Sequence, residues 1–458
     1  MSRILRRIAL TLCLVALARV CPAAPIMLSD STMMDQWTLP NGLRVVARHV
    51  PRASAVSVTW GYRFGQDADP RDELGWATLL AEVAFTAPAG DTPERTRDEM
   101  ESLRPLGWGL RVNRRQTLFT ETAAPAQVAG MLHQIAGRMR GVQVTPENLR
   151  RSLATVRAVL DQQSRGVGEA ELYWQLREHA LGVGPEELTR VAEARKLARE
   201  TPRSVQAALA RIYVPANGVL VLVGDFSRLD VYRVVAEQFG GLPGGEPLPE
   251  LPPSNLKPGE VMVERPDIKA PVALVGLFSP VMEDTLQPQF YMSLLVLGSQ
   301  VKAQWGAPEP PLGSRFQYSL LDDPDVVRFF PKLLPGDEAN PRAVSDRVSS
   351  TLLDVIAMTV EPEVFATYRD NVLWLLGGSL PPRLLETMRR DPAALNLLCA
   401  TSASRRLWGD EAFWSEYRRR FGDENAINPG LWNEWLVAQR LRATLLVVPT
   451  GTGKGAAR

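Results

Sequence analysis

The side chains that could hold a metal or attack a substrate are few in this chain, and they are badly spaced for either task. Only three histidines occur, His49, His133 and His179. No two stand four apart, the spacing that brings two imidazoles to one helix face as zinc ligands. His49 reads as the end of a strand beside Pro51, His133 as a mid-helix residue and His179 as a neighbour of Glu178. Each suits a structural role better than ligation. The run from Pro449 to Gly455 imitates a phosphate loop, yet it lacks the first glycine and carries Gly455 after Lys454. It reads as a flexible tail. Gly166-Val167-Gly168 falls between helices and is no dinucleotide fingerprint. Arg405-Arg406 and Arg418-Arg419-Arg420 read as solvated helix faces, with a docking patch for an acidic partner as the second reading.

The elements that must position any site are set by length and patterning. A chain of 458 residues holds two domains of about 200 residues each, and 45% hydrophobic with 22% charged residues is ordinary for a globular protein. Residues 1–23 read as a Sec-type signal peptide, with Arg3, Arg6 and Arg7 before an apolar run from Ile8 to Leu17 and small residues at Ala23 and Ala24. Removing that segment takes four arginines and no acids, so the formal charge goes from +1 to −3. A nearly neutral chain has no footprint for nucleic acid or an anionic membrane. Cys13 and Cys21 leave with the signal, and Cys399 alone cannot form an internal disulfide. It is expected to be a buried thiol. No later stretch is long and apolar enough to span a membrane, and a periplasmic location is expected.

The chain divides at residues 243–258, where six prolines forbid helix and central strand. Expected units are 35–242, the linker 243–258, 259–450 and a tail at 451–458. In the first half, Asn41-Gly42 marks a turn between strands at Trp37–Leu39 and Leu43–Ala47, and Ala55–Tyr62 alternates as a third strand. Helices are expected at 73–88 and 94–104, strands around Leu110 to Thr122, and helices at 126–140, 146–163, 169–180, 188–198 and 202–212. Val219–Val223 is a buried strand and 229–239 a closing helix. The second half opens with strands at Glu260–Glu264 and Val272–Phe278 and a helix at 287–302. A Pro/Gly-rich stretch at 306–313 follows. Helices come next at 342–357, 362–375, 381–388, 391–406, 410–420 and 429–438, with a last strand at Thr444–Val448. Strands mixed with helices in two equal halves indicate an α+β repeat.

Several segments, in order, carry a family resemblance. Gly75-Trp76-Ala77-Thr78-Leu79-Leu80-Ala81-Glu82-Val83-Ala84-Phe85 resembles the zinc helix of the insulinase/pitrilysin family, G-x-A-H-x-x-E-H-x-x-F, with its frame kept and its chemistry replaced. Leu39-Pro40-Asn41-Gly42-Leu43-Arg44-Val45 is similar to the family's opening strand pair. Tyr213-Val214-Pro215-Ala216-Asn217 with Val223-Gly224-Asp225, and Phe239-Gly240-Gly241-Leu242-Pro243, resemble its later signatures. Glu264-Arg265-Pro266-Asp267 resembles the start of its second domain.

The resemblance implies two homologous α+β domains, each a mixed, largely antiparallel sheet covered by helices, packed as a clamshell around a peptide-accepting chamber. In active members two histidines and a later glutamate bind zinc, and an intervening glutamate activates the metal-bound water as general base. Here the ligand positions are Thr78, Glu82 and Gln162, and the general-base position is Ala81. Asp161 lies one residue from Gln162, about 100° around the helix. Glu82 and Asp161 are two oxygen donors where a catalytic zinc takes three protein ligands. The family's substrate-holding segment keeps its entry at Leu312-Gly313-Ser314-Arg315-Phe316, while Leu321 falls at its Arg position and Arg328 near its Tyr. The resemblance thus implies a pseudo-peptidase without catalytic residues or cofactor. It would pair with an active homologous peptidase subunit or bind peptide or unfolded protein. The alternatives are a metalloendopeptidase with an atypical oxygen-rich site, and an envelope assembly or chaperone-like scaffold.

Overall fold

Two sheets carry the chain, and the second repeats the strand order of the first. The structure, a computed structural model, describes residues 26–27, 33–69, 75–164, 169–182, 197–226, 229–250, 255–292, 294–295, 315–356, 362–378, 380–423 and 442–450. The expected signal peptide, the tail, Gly166–Gly168, residues 188–196, the stretch 306–313 and the helix at 429–438 lie outside the described residues. The first sheet has β1 (Ile26–Met27), β2 (Met33–Thr38), β3 (Arg44–His49), β4 (Val56–Tyr62), β5 (Trp108–Val112), β6 (Thr117–Ala123) and β7 (Gly218–Gly224). Their order is β1-β2-β3-β7-β4-β6-β5. The second has β8 (Gly259–Arg265), β9 (Val272–Phe278), β10 (Arg315–Ser319), β11 (Asp323–Phe330) and β12 (Arg442–Pro449), ordered β10-β11-β9-β12-β8. Pairs β3–β7 and β8–β12 are parallel and every other neighbouring pair is antiparallel. The block β3-β7-β4-β6-β5 therefore matches β8-β12-β9-β11-β10 strand for strand. This is the expected mixed, largely antiparallel α+β repeat.

Helices of the first half are α1 (Trp76–Thr86), α2 (Arg97–Leu103), α3 (Val128–Arg140), α4 (Pro146–Ser164), α5 (Glu169–Ala180), α6 (Pro202–Ile212) and α7 (Val231–Phe239). Those described as whole elements in the second half are α8 (Pro341–Ile356), α9 (Pro362–Leu373), α10 (Pro382–Arg390), α11 (Pro392–Trp408) and α12 (Glu411–Phe421). The central strand β7 is buried throughout because both sheet faces are covered. Leu220 and Leu222 face the core built by α1, α3 and α7, whereas Val219, Val221 and Val223 face α11. Leu395, Leu398, Cys399, Ala403 and Leu407 form the apolar stripe of α11 at helical spacing. Asp391 starts that helix by accepting the Ala393 N–H, with Pro392 at its first position. The Cys399 thiol donates to the carbonyls of Ser57 and Val221, and burial pushes its pKa up to about 12. It is a structural thiol.

The covering helices are exchanged between the halves. Helix α11 of the second half lies on the first sheet, and α5 of the first half lies on the second. Leu172, Tyr173, Leu176 and Ala180 of α5 pack on Val261, Val263, Leu274, Val326, Leu445 and Val447. Each fully buried Val or Leu is worth roughly 1.5–3 kcal/mol over its exposed state, so both seams are held mainly by apolar burial. Charge adds to one of them. Arg177 of α5 lies 3.2 Å from Asp67 and 3.4 Å from Asp325 of β11.

One pair of strands differs from expectation. β10 and β11 form a hairpin where the sequence suggested no regular element, with a register shift between Gln317 and Ser319. Leu321 sits in its turn, its carbonyl accepting from Trp408 Nε1 at 2.9 Å. Arg328 is on β11, its guanidinium 4.4 Å from the Tyr173 ring centroid. Residues 312–314 lie outside the described residues.

Candidate functional site

Helix α1 carries Thr78, Ala81 and Glu82, and buried charges hold it at both ends. At its start Gly75 takes φ +91, a left-handed conformation that glycine tolerates best. The Asp69 carboxylate accepts the N–H groups of Gly75 at 2.8 Å and Ala77 at 2.7 Å. Burial pushes the Asp69 pKa up to about 6 against those hydrogen bonds, which lower it. At the far end Arg95 Nε donates to the Phe85 carbonyl and Arg138 Nη1 to that of Ala87. Anion at the N-terminus and cations at the C-terminus complement the helix dipole. Arg95 is itself paired, with Arg104, on the fully buried Glu121 of β6 at 2.7 Å each.

Helix α4 docks against α1. Asn148 Nδ2 donates to Thr86 Oγ1, which donates to the Glu82 carbonyl. Gln162 and Asp161 lie near the end of α4, and their side chains are outside the described residues. Thr78 is half-buried and Ala81 fully buried.

Glu82, which the resemblance would put at the second ligand position, is only 3% exposed, and both its oxygens are engaged. Arg97 Nε donates to Oε1 at 3.2 Å and Nη2 to Oε2 at 2.6 Å, a bidentate charge-assisted pair. Arg97 stands at the first position of α2, where a capping box of Thr96 and Glu99 fixes the backbone. A cation there opposes the helix dipole, so the pair with Glu82 is what rewards its placement. The Arg97 guanidinium also lies 5.8 Å from the Trp108 ring centroid, and Trp108 stacks on Phe85 at 5.4 Å. Arg97 and Trp108 are the residues that sequence reasoning missed. No local signal marks Arg97, because its carboxylate partner is fifteen positions away.

The histidines stand elsewhere. His49 bonds Asp225 at 3.3 Å, and exposed His133 bonds Asp91 and Gln238 at 3.1 Å each. Hydrogen bonding to Asp91 raises the His133 pKa. His179 closes α5. Among the described residues, no three or more His, Cys, Asp or Glu side chains are grouped to share a metal ion.

Beside α1, β5 forms the edge of the first sheet. Its alternate residues Trp108, Leu110 and Val112 are half-buried, and Leu103 and Leu106 just before it are 41% and 37% exposed. An edge strand presents main-chain donors and acceptors that an extended chain can pair with.

Residues 199–303 match the family model described as the Peptidase M16 inactive domain. No curated protein matches the sequence. Among solved structures, a protease from Helicobacter pylori is similar at TM-score 0.69 and 15% identity, covering 91% of this chain and 99% of that one. A putative M16-like peptidase from Alicyclobacillus acidocaldarius gives TM-score 0.64 and 16% identity over 93% of this chain and 100% of its own. The periplasmic protease PqqL from Escherichia coli gives 0.64 and 13%, covering 95% of this chain. This chain spans about half of PqqL, 49% of its length. At these identities the structural likeness establishes the fold.

Proposed function

We propose that this chain, a member of the insulinase/pitrilysin (M16) peptidase family, is a non-catalytic relative that works by binding. The observation that carries this reading is the Glu82–Arg97 pair. A guanidinium occupies both oxygens of the one carboxylate in the α1 ligand positions, and Ala81 supplies no base. Thr78, Glu82 and Gln162 do not fit zinc as a donor set, since none is a histidine and the only charged member is already neutralised. Losing a general base alone typically lowers a rate by about 10²- to 10⁴-fold.

In this reading the units are 35–242 and 259–450, joined by 243–258, and the chain is exported to the periplasm after removal of residues 1–23. Its partner is an active homologous peptidase subunit, with which it forms a heterodimer. The retained scaffold, with α1 clamped at both ends, supports a role that needs the shape and not the reaction. A second reading, favoured by the open β5 edge, is that the chain itself holds an extended peptide by strand addition.

The test is gentle purification of the tagged protein from its native host, with mass spectrometry of whatever accompanies it. A stoichiometric homologue carrying an intact zinc motif is expected, and the isolated chain should bind less than a tenth of an equivalent of zinc by elemental analysis. Chelator-sensitive cleavage of unfolded peptides by the isolated chain would overturn the proposal. Recovery without a homologue, but with peptides lost on Leu110→Pro substitution, would support the second reading.

A further inference from the structure

In the basic runs of α11 and α12, Arg405, Arg406 and Arg418 are not the solvated face that the sequence suggests, whereas Arg419 is exposed and pairs with Glu416. Arg405 is buried and Arg406 half-buried, both turned into the seam between α11 and the β2–β3 pair. Across that seam β3 presents Arg44, Val46 and Arg48 on one face. Arg44 Nη1 donates to the Arg406 carbonyl at 2.7 Å. The Arg48 side chain, buried with the residue 2% exposed, makes one hydrogen bond among the described residues, from Nη2 to the Met34 sulfur at 3.3 Å. Its Nη1 is buried and has no partner among the described residues, and the same holds for Nε and Nη1 of Arg406.

Among the described residues, Glu411 is the one carboxylate that bonds this group of arginines. Arg418 Nη2 lies 2.7 Å from its Oε1, and Arg405 Nη2 3.7 Å from its Oε2, which also accepts from Gln36 Nε2 at 3.3 Å. Asp410 next to it is exposed and spends its side chain capping α12 at the Phe413 N–H. Arg405 and Arg418 each donate Nη1 to the Leu376 carbonyl, at 2.6 and 2.8 Å. That approach needs Gly377, at φ +96, where a Cβ would fall 1.4 Å from Arg405 Nη1. Arg48 and Arg405 are each lowered to a pKa of about 10, chiefly by burial, with Glu411 opposing and the neighbouring arginines contributing to the fall.

Arg44, Arg48, Arg405, Arg406 and Arg418 against Glu411 leave an excess of four positive charges along this seam, with Arg48 and Arg405 its most buried members. An uncompensated buried cation is among the costliest groups a fold can carry. Ordered water could meet the free donors but would not neutralise the charge. We propose that this seam is a binding site for a small divalent oxyanion of the phosphate or sulfate class. The ion contacts Arg48 Nη1 and enters past the rim formed by Arg418 and Glu411, which are 20% and 29% exposed. Such an ion offsets part of the excess, and its oxygens suit guanidinium donors.

The experiment compares thermal unfolding of the purified full chain in phosphate and in chloride at matched ionic strength, with equilibrium dialysis of radiolabelled phosphate. A saturable rise in Tm of about 2 °C or more and close to one bound phosphate per chain are expected. Arg48→Met should abolish both while leaving Tm in chloride unchanged or higher, because an apolar isostere removes an unbalanced buried charge. If that variant fails to fold, Arg418→Gln at the rim should weaken phosphate binding about tenfold. Equal Tm in the two salts, or undiminished phosphate binding by Arg48→Met, overturns the site.

Discussion

Glu82 and Arg48 are buried to almost the same degree, 3% and 2% exposed, and they solve the problem of burial in opposite ways. Glu82 has its counter-ion built into the chain, with two short bonds from Arg97 on a rigid capped helix. Arg48 has only a sulfur and a distant carboxylate. The difference teaches where this molecule is finished and where it is waiting. At Glu82 the charges are closed among the protein's own groups. At the seam they remain open to something from outside.

The comparison breaks most easily at Arg97. Arg97→Met leaves the Glu82 carboxylate buried without a partner, and a loss of about 2–3 kcal/mol in urea unfolding is expected. That is the low end for a broken buried pair, since the Arg97 side chain is 46% exposed and partly screened by solvent. Next comes Gly377→Ala, which loses about 2 kcal/mol because the left-handed backbone is strained and Arg405 must leave the Leu376 carbonyl. Its phosphate-dependent Tm shift should vanish as well, since the seam loses its geometry. Arg48→Met reverses the sign, with a change between zero and a gain of about 1 kcal/mol in chloride. A loss as large as that of Arg97→Met would erase the contrast drawn between the two sites.

The smallest effect concerns pH. The folded-state pKa of Asp69 is raised to about 6, above the unfolded value of about 4. The folded chain then holds the extra proton between those values, so Asp69's contribution to stability is most favourable below about pH 4 and declines as pH rises through 6. Asp69→Asn should flatten that decline, read as the difference in urea midpoint between variant and parent at pH 4, 5, 6 and 7.

Much of the scaffold was legible because its signals are local. Asn41-Gly42 predicted the β2–β3 turn, and the continuous apolar run Val219–Val223 predicted a strand covered on both faces. The β10–β11 hairpin was hidden because Pro324 lies inside β11 and reads as a strand breaker. It is tolerated beside the register shift, outside the paired residues. The ligand positions Thr78 and Glu82 and the general-base position Ala81 are assigned by the family resemblance, from spacing within one helix. Their environment could not be read in that way, since Arg97 meets Glu82 only through tertiary packing. The seam was the least legible. Arg405 and Arg418 look like surface charges on their own helices, and Gln36, which meets Glu411, is 375 positions away from it.

The exchange of α5 and α11 makes the two halves hostages of each other. Each sheet leaves one of its faces to be covered by a helix that the other half supplies. Hinge-like separation would bare two Val- and Leu-rich surfaces at once, at a cost set by the apolar area exposed. A protease that nicks the proline-rich segment between them should therefore release nothing. The two fragments would travel as one particle through gel filtration and part only when denatured.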